Sequence, residues 1–266
     1  MDLGLKNKHV LVTGASGGIG NEITNFFLSE GANVTAHFFT NKKTLETLLK
    51  EHPSTFSMFS ADLRIEIEVK NLFIHANKQF GRVDSLVANA GVWPENETPI
   101  HNMSFNQWEN TLKTNLSNVF LCIKYFCRNL VQYPGNYGSI IVIGSSAGVF
   151  GEAGHVDYSS SKAALKGLML TVKNEIVHLA PKGRINLVNP GWTITPMVKD
   201  SLKDKSIVKR VLQTIPMRKV ATTQDIANVV VFLTSDKASG HISGQIITVA
   251  GGMEGRMLFE KKDIEI

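Results

Sequence analysis

Short runs of β-branched and aliphatic residues alternate with stretches of helical period along nearly the whole chain. The runs that predict strands are residues 9–13, 33–39, 55–61, 83–88, 139–144, 184–189 and 245–249. Helical periods lie between them, at residues 18–29, 42–51, 66–80, 105–130, 159–179 and 223–233, and the fourth is long enough to contain a bend. Because parallel strands need crossover helices, this order predicts an α/β protein. We expect a single-domain Rossmann fold with a doubly wound, seven-stranded parallel sheet and helices on both faces.

The composition is that of an ordinary globular protein and argues against nucleic-acid binding. Of 266 residues, 43% are apolar and 19% are charged. The 28 basic and 23 acidic side chains give a net charge of +5, and they are scattered rather than gathered in a basic stripe. No linker, repeat or low-complexity segment divides residues 1–266, which predicts one domain. The tail at 254–266 has mixed charge and is expected either to be loose or to pack on a neighbouring subunit.

The two cysteines, Cys122 and Cys127, lie in an apolar helical stretch and are predicted to be free core thiols. They support neither a disulfide framework nor a metal site. Residues 1–6 lack the apolar core of a signal peptide, and no apolar run approaches the roughly 20 residues of a membrane helix. We therefore expect a cytoplasmic protein without a membrane partner.

A glycine-rich turn joins the first predicted strand to the first helix. Its glycines are spaced G-x3-G-x-G, at Gly14, Gly18 and Gly20. A turn without Cβ atoms lets a pyrophosphate approach the backbone and the helix N-terminus. The turn residues predicted to bind a cofactor are Gly14, Ser16, Gly17, Gly18, Ile19 and Gly20. The alternative is a tight connection that binds no ligand.

The end of the second strand bears on the choice of cofactor. Dinucleotide enzymes often carry an acidic residue there for the ribose 2′-OH, but Phe38, Thr40, Lys42 and Lys43 follow here and no Asp or Glu is present. Polar and basic side chains tolerate or attract a 2′-phosphate. We therefore predict NADP in preference to NAD, with Phe38 and Thr40 near the cofactor. The alternative is that the lysines only begin a solvated helix.

Tyr158 and Lys162 are four residues apart, so a helix places them on one face. A fixed cation near a phenol is expected to lower its pKa, and such a tyrosine can exchange a proton with a carbonyl or alcohol oxygen. Ser145 follows the fifth strand, at the sheet edge where α/β proteins bind ligands, and can orient a substrate oxygen. The alternatives are a surface Tyr–Lys pair and a turn or cap serine.

Together these motifs resemble the short-chain dehydrogenase/reductase family, in its single-domain branch. The matching pieces are Thr13-Gly-x3-Gly-x-Gly20, Asp62-Leu63, Asn89-Ala90-Gly91, Asn115, Ser145, Tyr158-x3-Lys162 and Pro190-Gly191 with Thr193 and Thr195. They occur in the family's order and cover about residues 5–252. The catalytic residues that the resemblance implies are Asn115, Ser145, Tyr158 and Lys162.

The resemblance also implies further roles. Lys162 would bind the nicotinamide ribose beside Tyr158, and Asn115 would anchor a water that links Lys162 to solvent. Cofactor contacts would come from Asp62 and Leu63 at the adenine, from Asn89, Ala90 and Gly91 along the cofactor, and from Pro190, Gly191, Thr193 and Thr195 at the nicotinamide. An alternative for Asn89 and Asn115 is an internal amide that satisfies backbone groups. Gly17 stands where many NADP-using relatives carry a basic residue, so the NADP prediction depends on the second strand alone.

The predicted reaction interconverts a secondary alcohol with a ketone or aldehyde, or a hemiacetal with a lactone. Residues 195–215 resemble the family's mobile lid. Trp93, Glu152, His155 and Trp192 are candidates to face a small-molecule substrate, and their mixture suggests a compact polar one, although loop Glu and His residues usually face water.

Alternative functions are an epimerase or dehydratase that uses bound cofactor, or a non-catalytic binding protein of the same fold. The Tyr-x3-Lys spacing argues against double-bond reduction, because enoyl reductases of the family space the pair more widely. The resemblance further implies a homotetramer or homodimer, joined through the helices at about 105–130 and 158–179 and the last strand.

Overall fold

The computed structural model describes residues 2–94, 96–195 and 205–255, and within them it contains the predicted parallel sheet. The strands are β1 His9–Val12, β2 Asn33–Phe38, β3 Phe56–Ser60, β4 Ser85–Ala88, β5 Tyr137–Ile143, β6 Lys182–Pro190 and β7 Ile246–Val249. Every neighbouring pair is parallel. All seven predicted strands are confirmed, with ends that differ by at most a few residues.

The strand order is β3-β2-β1-β4-β5-β6-β7. The chain winds outward in one direction from β1 to β3 and then in the other from β4 to β7, so β1 and β4 lie side by side at the point of reversal. Connections leave the carboxyl ends of these two strands in opposite directions, which opens a crevice there. The residues that follow β1, β4 and β5 therefore lie at one edge of the sheet.

Helices cover both faces of the sheet, as predicted. The helices are α1 Gly18–Ser29, α2 Lys43–Glu51, α3 Glu66–Phe80, α4 Phe105–Leu112, α5 Asn118–Gln132, α6 Ala147–Phe150, α7 Val156–Glu175, α8 Lys205–Gln213, α9 Thr223–Thr234 and α10 Asp236–Ser239. The alternation of strand side chains divides the core in two. In β1, Val10 and Val12 pack with α1, α2 and α9, whereas Leu11 packs with α3, α5 and α7.

The predicted bend in the fourth helix is a π-helical turn, Lys113–Ser117, between α4 and α5. The N–H of Asn118 donates to the carbonyl of Lys113, five residues back, so the backbone around Asn115 leaves the regular α-helical pattern. Single π-turns of this kind often lie at functional sites.

The helix that carries Tyr158 begins at Val156, three residues earlier than predicted. The reason is Asp157, a fully buried residue whose Oδ1 accepts the N–H of Tyr158 at 2.8 Å and whose Oδ2 accepts the hydroxyl of Thr111 at 2.7 Å. A carboxylate in the first turn favours a helix N-terminus.

Parts of the predicted lid and tail, at 196–204 and 256–266, lie outside the described residues, and α8 falls within the lid segment. Cys122 is buried and Cys127 partly buried, and both are free thiols as predicted. No helix among the described residues is both long and apolar enough to cross a bilayer.

Candidate active site

The glycine turn has a shape that only glycine permits at two of its positions. Gly14 has a φ of +63°, in the left-handed region that side chains disfavour. A Cβ on Gly20 would lie 2.2 Å from the carbonyl oxygen of Gly14 and 2.7 Å from Nδ2 of Asn89. The turn and the first turn of α1 are therefore in direct contact, and the close packing needs both glycines.

The N-terminus of α1 is suited to an anion. Its N-cap is Gly17, which offers no side chain to cap the helix, and the first turn carries no acidic residue. The first N–H groups of a helix have no partner within the helix, and the helix dipole favours negative charge beside them. The predicted residues Ser16, Gly18 and Ile19 surround this end, so the turn fits the pyrophosphate of a dinucleotide.

The residues that follow β4 form hydrogen bonds with the glycine turn and with Thr13 before it. Nδ2 of Asn89 donates to the carbonyl of Thr13 at 2.9 Å and to that of Gly14 at 3.2 Å. The Thr13 hydroxyl accepts the N–H groups of Asn89 and Ala90 at 2.9 and 3.0 Å. Asn89 thus satisfies backbone groups, in line with the alternative role considered for it.

At the adenine end predicted from sequence, Asp62 is engaged by an arginine that sequence reasoning missed. Nε of Arg64 donates to Oδ1 of Asp62 at 2.9 Å and Nη2 donates to Oδ2 at 2.6 Å, and this pairing holds the pKa of Asp62 below its usual value. Arg64 also lies over the ring of Phe39, 5.8 Å from its centroid. The side chains of Phe38 and Leu63 are buried in the core, whereas Thr40 is exposed. The spacing of Asp62 and Arg64 was a signal available in the sequence.

The hydroxyl of Ser145 lies close enough to the phenol of Tyr158 to influence its pKa, and it accepts the N–H of Ala147 at 3.2 Å. Ser145 is held in turn by Asn189, whose Oδ1 accepts its N–H at 3.2 Å. Burial raises the pKa of Tyr158 above its ordinary value, and the hydroxyl of Ser145 acts in the opposite direction. The phenol therefore keeps its proton at neutral pH.

Lys162 is buried beside this pair. Its Nζ lies 5.8 Å from the centroid of the Tyr158 ring and donates to the carbonyl of Ile143 at 3.1 Å. Burial lowers the pKa of Lys162 to about 8. Burial disfavours the charged form of both groups and is the largest influence on both pKa values, so the lowering of the Tyr158 pKa by Lys162 stays a prediction.

Asn115 is fully buried and spans the backbone of Val92. Its Oδ1 accepts the N–H of Val92 at 2.8 Å and its Nδ2 donates to the carbonyl at 2.9 Å. A Cβ on Gly91 would lie 3.0 Å from Oδ1 of Asn115 and 3.2 Å from Nζ of Lys162. Gly91, Asn115 and Lys162 therefore converge, while the water relay through Asn115 stays a prediction.

The segment after β6 runs along the same edge. The carbonyl of Pro190 accepts the N–H of Ser146 at 2.9 Å, and the N–H of Gly191 donates to Val249 at 3.0 Å. The hydroxyl of Thr193 donates to the backbone carbonyl of Gly191, two residues earlier, at 2.9 Å. Thr195 is the last described residue before 205.

Of the four predicted substrate residues, Trp93 is in contact with Tyr158. Its ring meets Tyr158 edge to face, with centroids 4.7 Å apart, and stacks on His155 at 4.0 Å. Both ring nitrogens of His155 face backbone carbonyls, Nδ1 that of Ala153 at 3.1 Å and Nε2 that of Pro94 at 3.2 Å. His155 is buried, so its polar atoms are used within the protein.

Glu152 and Trp192 lie differently. Glu152 is exposed, yet partial desolvation raises the pKa of its carboxyl. Trp192 lines a cavity of about 160 Å³ together with Ile215, Met217, Lys219, Ala221, Asp225, Val249, Ala250 and Gly251. Ser145, Tyr158 and Lys162 are not among these lining residues.

The chain is similar to known proteins over nearly its whole length. A family model described as enoyl-(acyl carrier protein) reductase matches residues 14–254. The chain is 36% identical over 255 residues to 3-oxoacyl-(acyl-carrier-protein) reductase FabG of Staphylococcus epidermidis. That match covers 93% of this chain and 99% of the relative. It is 30% identical over 252 residues to the protein of the same name from Thermotoga maritima, with 94% and 98% covered.

Two solved structures have the same fold. Levodione reductase superposes with a TM-score of 0.85 at 24% identity, over 93% of this chain and 98% of that one. A short-chain dehydrogenase/reductase from Brucella melitensis, described as glucose/ribitol dehydrogenase, superposes with a TM-score of 0.82 at 29% identity, over 93% and 97%. The seven-stranded Rossmann-like architecture is therefore shared across the length of these proteins.

Proposed function

Since this chain belongs to the short-chain dehydrogenase/reductase family and is an NAD(P)-dependent oxidoreductase, we propose that it reduces a ketone to a secondary alcohol with Tyr158 as proton donor. The observation that carries the proposal is the convergence of Ser145, Tyr158 and Lys162 at the carboxyl end of β5. A bound nicotinamide cofactor would supply a hydride to the carbonyl carbon. Every other step is performed by side chains of the chain itself.

The hydroxyls of Ser145 and Tyr158 would hold the substrate carbonyl oxygen by two hydrogen bonds. As that oxygen gains negative charge, the O–H bond of Tyr158 breaks and its proton passes to the oxygen, which leaves an alcohol and a phenolate. The phenol of Tyr158 begins protonated at neutral pH, as a proton donor must, because burial raises its pKa. The ammonium of Lys162 would then stabilise the phenolate and return a proton, which a pKa of about 8 allows.

A 3-oxoacyl thioester is the substrate class that we propose first. Relatives named for that reaction match over nearly the whole chain. The hypothesis of a compact polar substrate loses one support, because His155 directs its ring nitrogens at backbone carbonyls. The exposed carboxylate of Glu152 is the feature that still favours a polar substrate.

Three other reactions of the fold are weaker candidates. The family model carries the name of an enoyl reductase, but the Tyr-x3-Lys spacing here, from Tyr158 to Lys162, is the one associated with carbonyl reduction. Epimerisation or dehydration would use the same side chains without net consumption of NADPH. Product analysis separates them, since only ketone reduction consumes one reduced cofactor for each alcohol formed.

NADPH is proposed as the preferred cofactor. The end of β2 has no carboxylate, and Lys43 is exposed beside it. Lys42 is paired with Glu46 at 3.0 Å, but both side chains are about half exposed, so the pair is weak and solvent-screened. Dissociation constants for NADPH and NADH test this preference, and replacement of both lysines by Gln should weaken NADPH binding without affecting NADH.

A homodimer or homotetramer in the cytoplasm completes the proposal. Large apolar side chains are exposed on α4 and α5, among them Phe105 at 73% and Phe120 at 51% exposure. β7 is the last strand in the sheet order, and no strand among the described residues pairs with its outer edge. Sedimentation of the wild type beside Phe120→Ser tests whether this surface joins subunits.

The decisive experiment measures NADPH oxidation with acetoacetyl-CoA, a cyclic diketone and a set of sugars, using the wild type and Tyr158→Phe. Loss of the phenol should lower kcat at least about 100-fold. Tyr133→Phe is the matched control, because Tyr133 lies at the end of α5 and bonds to Gln132 rather than to the site. Near-normal kcat in Tyr158→Phe with chemistry rate-limiting would refute the mechanism, and turnover of sugars alone would refute the thioester assignment.

A further inference from the structure

His37 lies at the end of β2, directly under the glycine turn, and is only 3% exposed. Its Nδ1 accepts the N–H of Gly14 at 3.1 Å, and its Nε2 lies 2.9 Å from the carbonyl oxygen of Ala61. The backbone carbonyl of His37 accepts the N–H of Ala15 at 2.8 Å. His37 thus accepts hydrogen bonds from two successive backbone amides, those of Gly14 and Ala15, just after the end of β1.

The partners of the imidazole determine its protonation. The N–H of Gly14 can only donate and the carbonyl of Ala61 can only accept. Nδ1 must therefore be unprotonated, and Nε2 must carry the proton. Burial lowers the pKa of His37 to about 4, which keeps the ring neutral at physiological pH. A second proton, on Nδ1, would point at the N–H of Gly14 and break that contact.

These bonds decide which way the turn faces. The N–H of Ala15 and the carbonyl of Gly14 belong to one peptide group, so the bond from Ala15 to the backbone of His37 directs the carbonyl oxygen of Gly14 away, toward the N–H of Gly17 at 3.2 Å and Nδ2 of Asn89 at 3.2 Å. The N–H of Gly14, which donates to the imidazole, shares its peptide group with the carbonyl of Thr13, which accepts from Nδ2 of Asn89 at 2.9 Å. The amides of Gly14 and Ala15 are therefore used internally, and the N-terminus of α1 is left as the anion-binding end of the turn.

We propose that His37 is a positioning residue, whose Nδ1 fixes the glycine turn in the conformation that binds a nicotinamide dinucleotide. The inference depends on the proposed function, because it assigns the turn to that cofactor. It concerns affinity for the cofactor and not the proton transfer at Tyr158, so His37 variants should change cofactor binding far more than kcat at saturating cofactor.

Two amide replacements separate the two bonds of the ring. In His37→Asn the side-chain oxygen can occupy the place of Nδ1 and accept from Gly14, while the donor to Ala61 is lost. In His37→Gln the side-chain nitrogen can occupy the place of Nε2 and donate to Ala61, while the acceptor for Gly14 is lost. The two variants therefore lose one hydrogen bond each, at opposite ends of the imidazole.

His9 offers a matched control on the neighbouring strand. It is also buried, at 1% exposure, with Nδ1 on the carbonyl of Gly81 at 3.0 Å and Nε2 on the hydroxyl of Thr35 at 2.9 Å. It lies at the start of β1, the opposite end of the sheet from the turn. His9→Gln should thus lower stability without changing the binding site.

The test measures dissociation constants for NADPH and the thermal unfolding midpoint of all four proteins. His37→Gln should bind roughly tenfold or more weakly, and His37→Asn should stay within about threefold of the wild type. Equal binding by His37→Gln and the wild type, or losses in all three variants that simply follow the unfolding midpoint, would overturn the proposal. If the wild type itself bound neither NADPH nor NADH, the proposed function would fail instead.

Nitrogen-15 NMR of the wild type gives an answer that needs neither activity nor variants. We expect the ring of His37 to show a protonated Nε2 and an unprotonated Nδ1 at pH 7. A proton on Nδ1 would rule out the bond from Gly14 and with it the proposal, whether or not the cofactor binds.

Discussion

Nζ of Lys162 donates to the backbone carbonyl of Ile143 at 3.1 Å, inside the protein and beside Tyr158. The ammonium is almost completely buried, and its pKa falls from the ordinary value of 10.5 to about 8. The folded state therefore carries a charge that it disfavours relative to the unfolded chain. Lys162 is retained at a cost to stability that its proposed role in proton return would justify.

Replacement of Lys162 by Met should stabilise the protein and abolish its activity. Below pH 8 Lys162 is protonated in both the folded and the unfolded wild type, so the folded state bears the full free-energy cost of burying the charge. Between pH 8 and 10.5 only the unfolded state stays protonated, so wild-type stability rises with pH relative to the variant. Urea unfolding at pH 7 should show Lys162→Met about 1–3 kcal/mol more stable, after the lost hydrogen bond is subtracted.

The advantage of Lys162→Met should shrink at pH 10, where the wild type has lost most of its buried charge. A variant less stable than the wild type at pH 7 would show that the ammonium contributes favourable interactions that outweigh its burial. Lys166→Met is a suitable control, since Lys166 is exposed on the same helix.

Gly91→Ala should lower kcat about tenfold with little loss of stability. Its Cβ would meet Oδ1 of Asn115 at 3.0 Å and Nζ of Lys162 at 3.2 Å, so one of these groups must shift by a few tenths of an ångström. Misplacement of this order is enough to slow a reaction that depends on orientation. Steady-state kinetics with saturating cofactor measures the effect.

Gly167→Ala is the control for that substitution. Gly167 lies on α7 with Tyr158 and Lys162 and is exposed, and a Cβ added to it would meet nothing within 4 Å. Alanine is favoured over glycine in a helix by about 0.5–1 kcal/mol, so this variant should be slightly more stable and equally active. If Gly91→Ala and Gly167→Ala had the same kcat, the packing at Gly91 would have no catalytic importance.

The sheet could be predicted from sequence because its signal is local. Buried parallel strands are short and continuously apolar, and the glycines at Gly14 and Gly20 mark the turn after β1. Tyr158, Lys162 and Ser145 could also be placed, since helical spacing and the sheet edge define their positions. The family resemblance added Asn115, which no local pattern singles out.

The unpredicted features depend on contacts across the fold. His37 meets Gly14 only because β2 lies beside β1 and the turn folds over both. Asp157 joins α4 to α7 through Thr111, 46 residues away. The direction of the Tyr158 pKa shift depends on how far the helix is buried, and spacing alone carries no information about burial.

Trp93→Ala should raise KM for the ketone about tenfold and leave the dissociation constant for NADPH unchanged. The indole packs on the rings of Tyr158 and His155, and its loss removes an aromatic wall beside the proton donor. Trp93→Phe keeps a smaller aromatic ring at this position, so its KM for the ketone should lie between those of the wild type and Trp93→Ala. A change confined to cofactor affinity would place Trp93 outside the substrate site.

Acid should destabilise the wild type more than His37→Asn. The pKa of His37 is about 4 in the folded state and ordinary, near 6.5, in the unfolded chain, because burial outweighs the raising effects of Ala61 and the nearby carboxylate of Asp62. As pH falls from 6.5 to 4, only the unfolded state gains the proton, and the stability of the fold decreases by on the order of 3 kcal/mol. The asparagine does not titrate, so urea unfolding at pH 7 and pH 4.5 should show a smaller loss for the variant. Equal losses in both proteins would mean that His37 is protonated in the folded state well above pH 4, which is incompatible with its bond from Gly14.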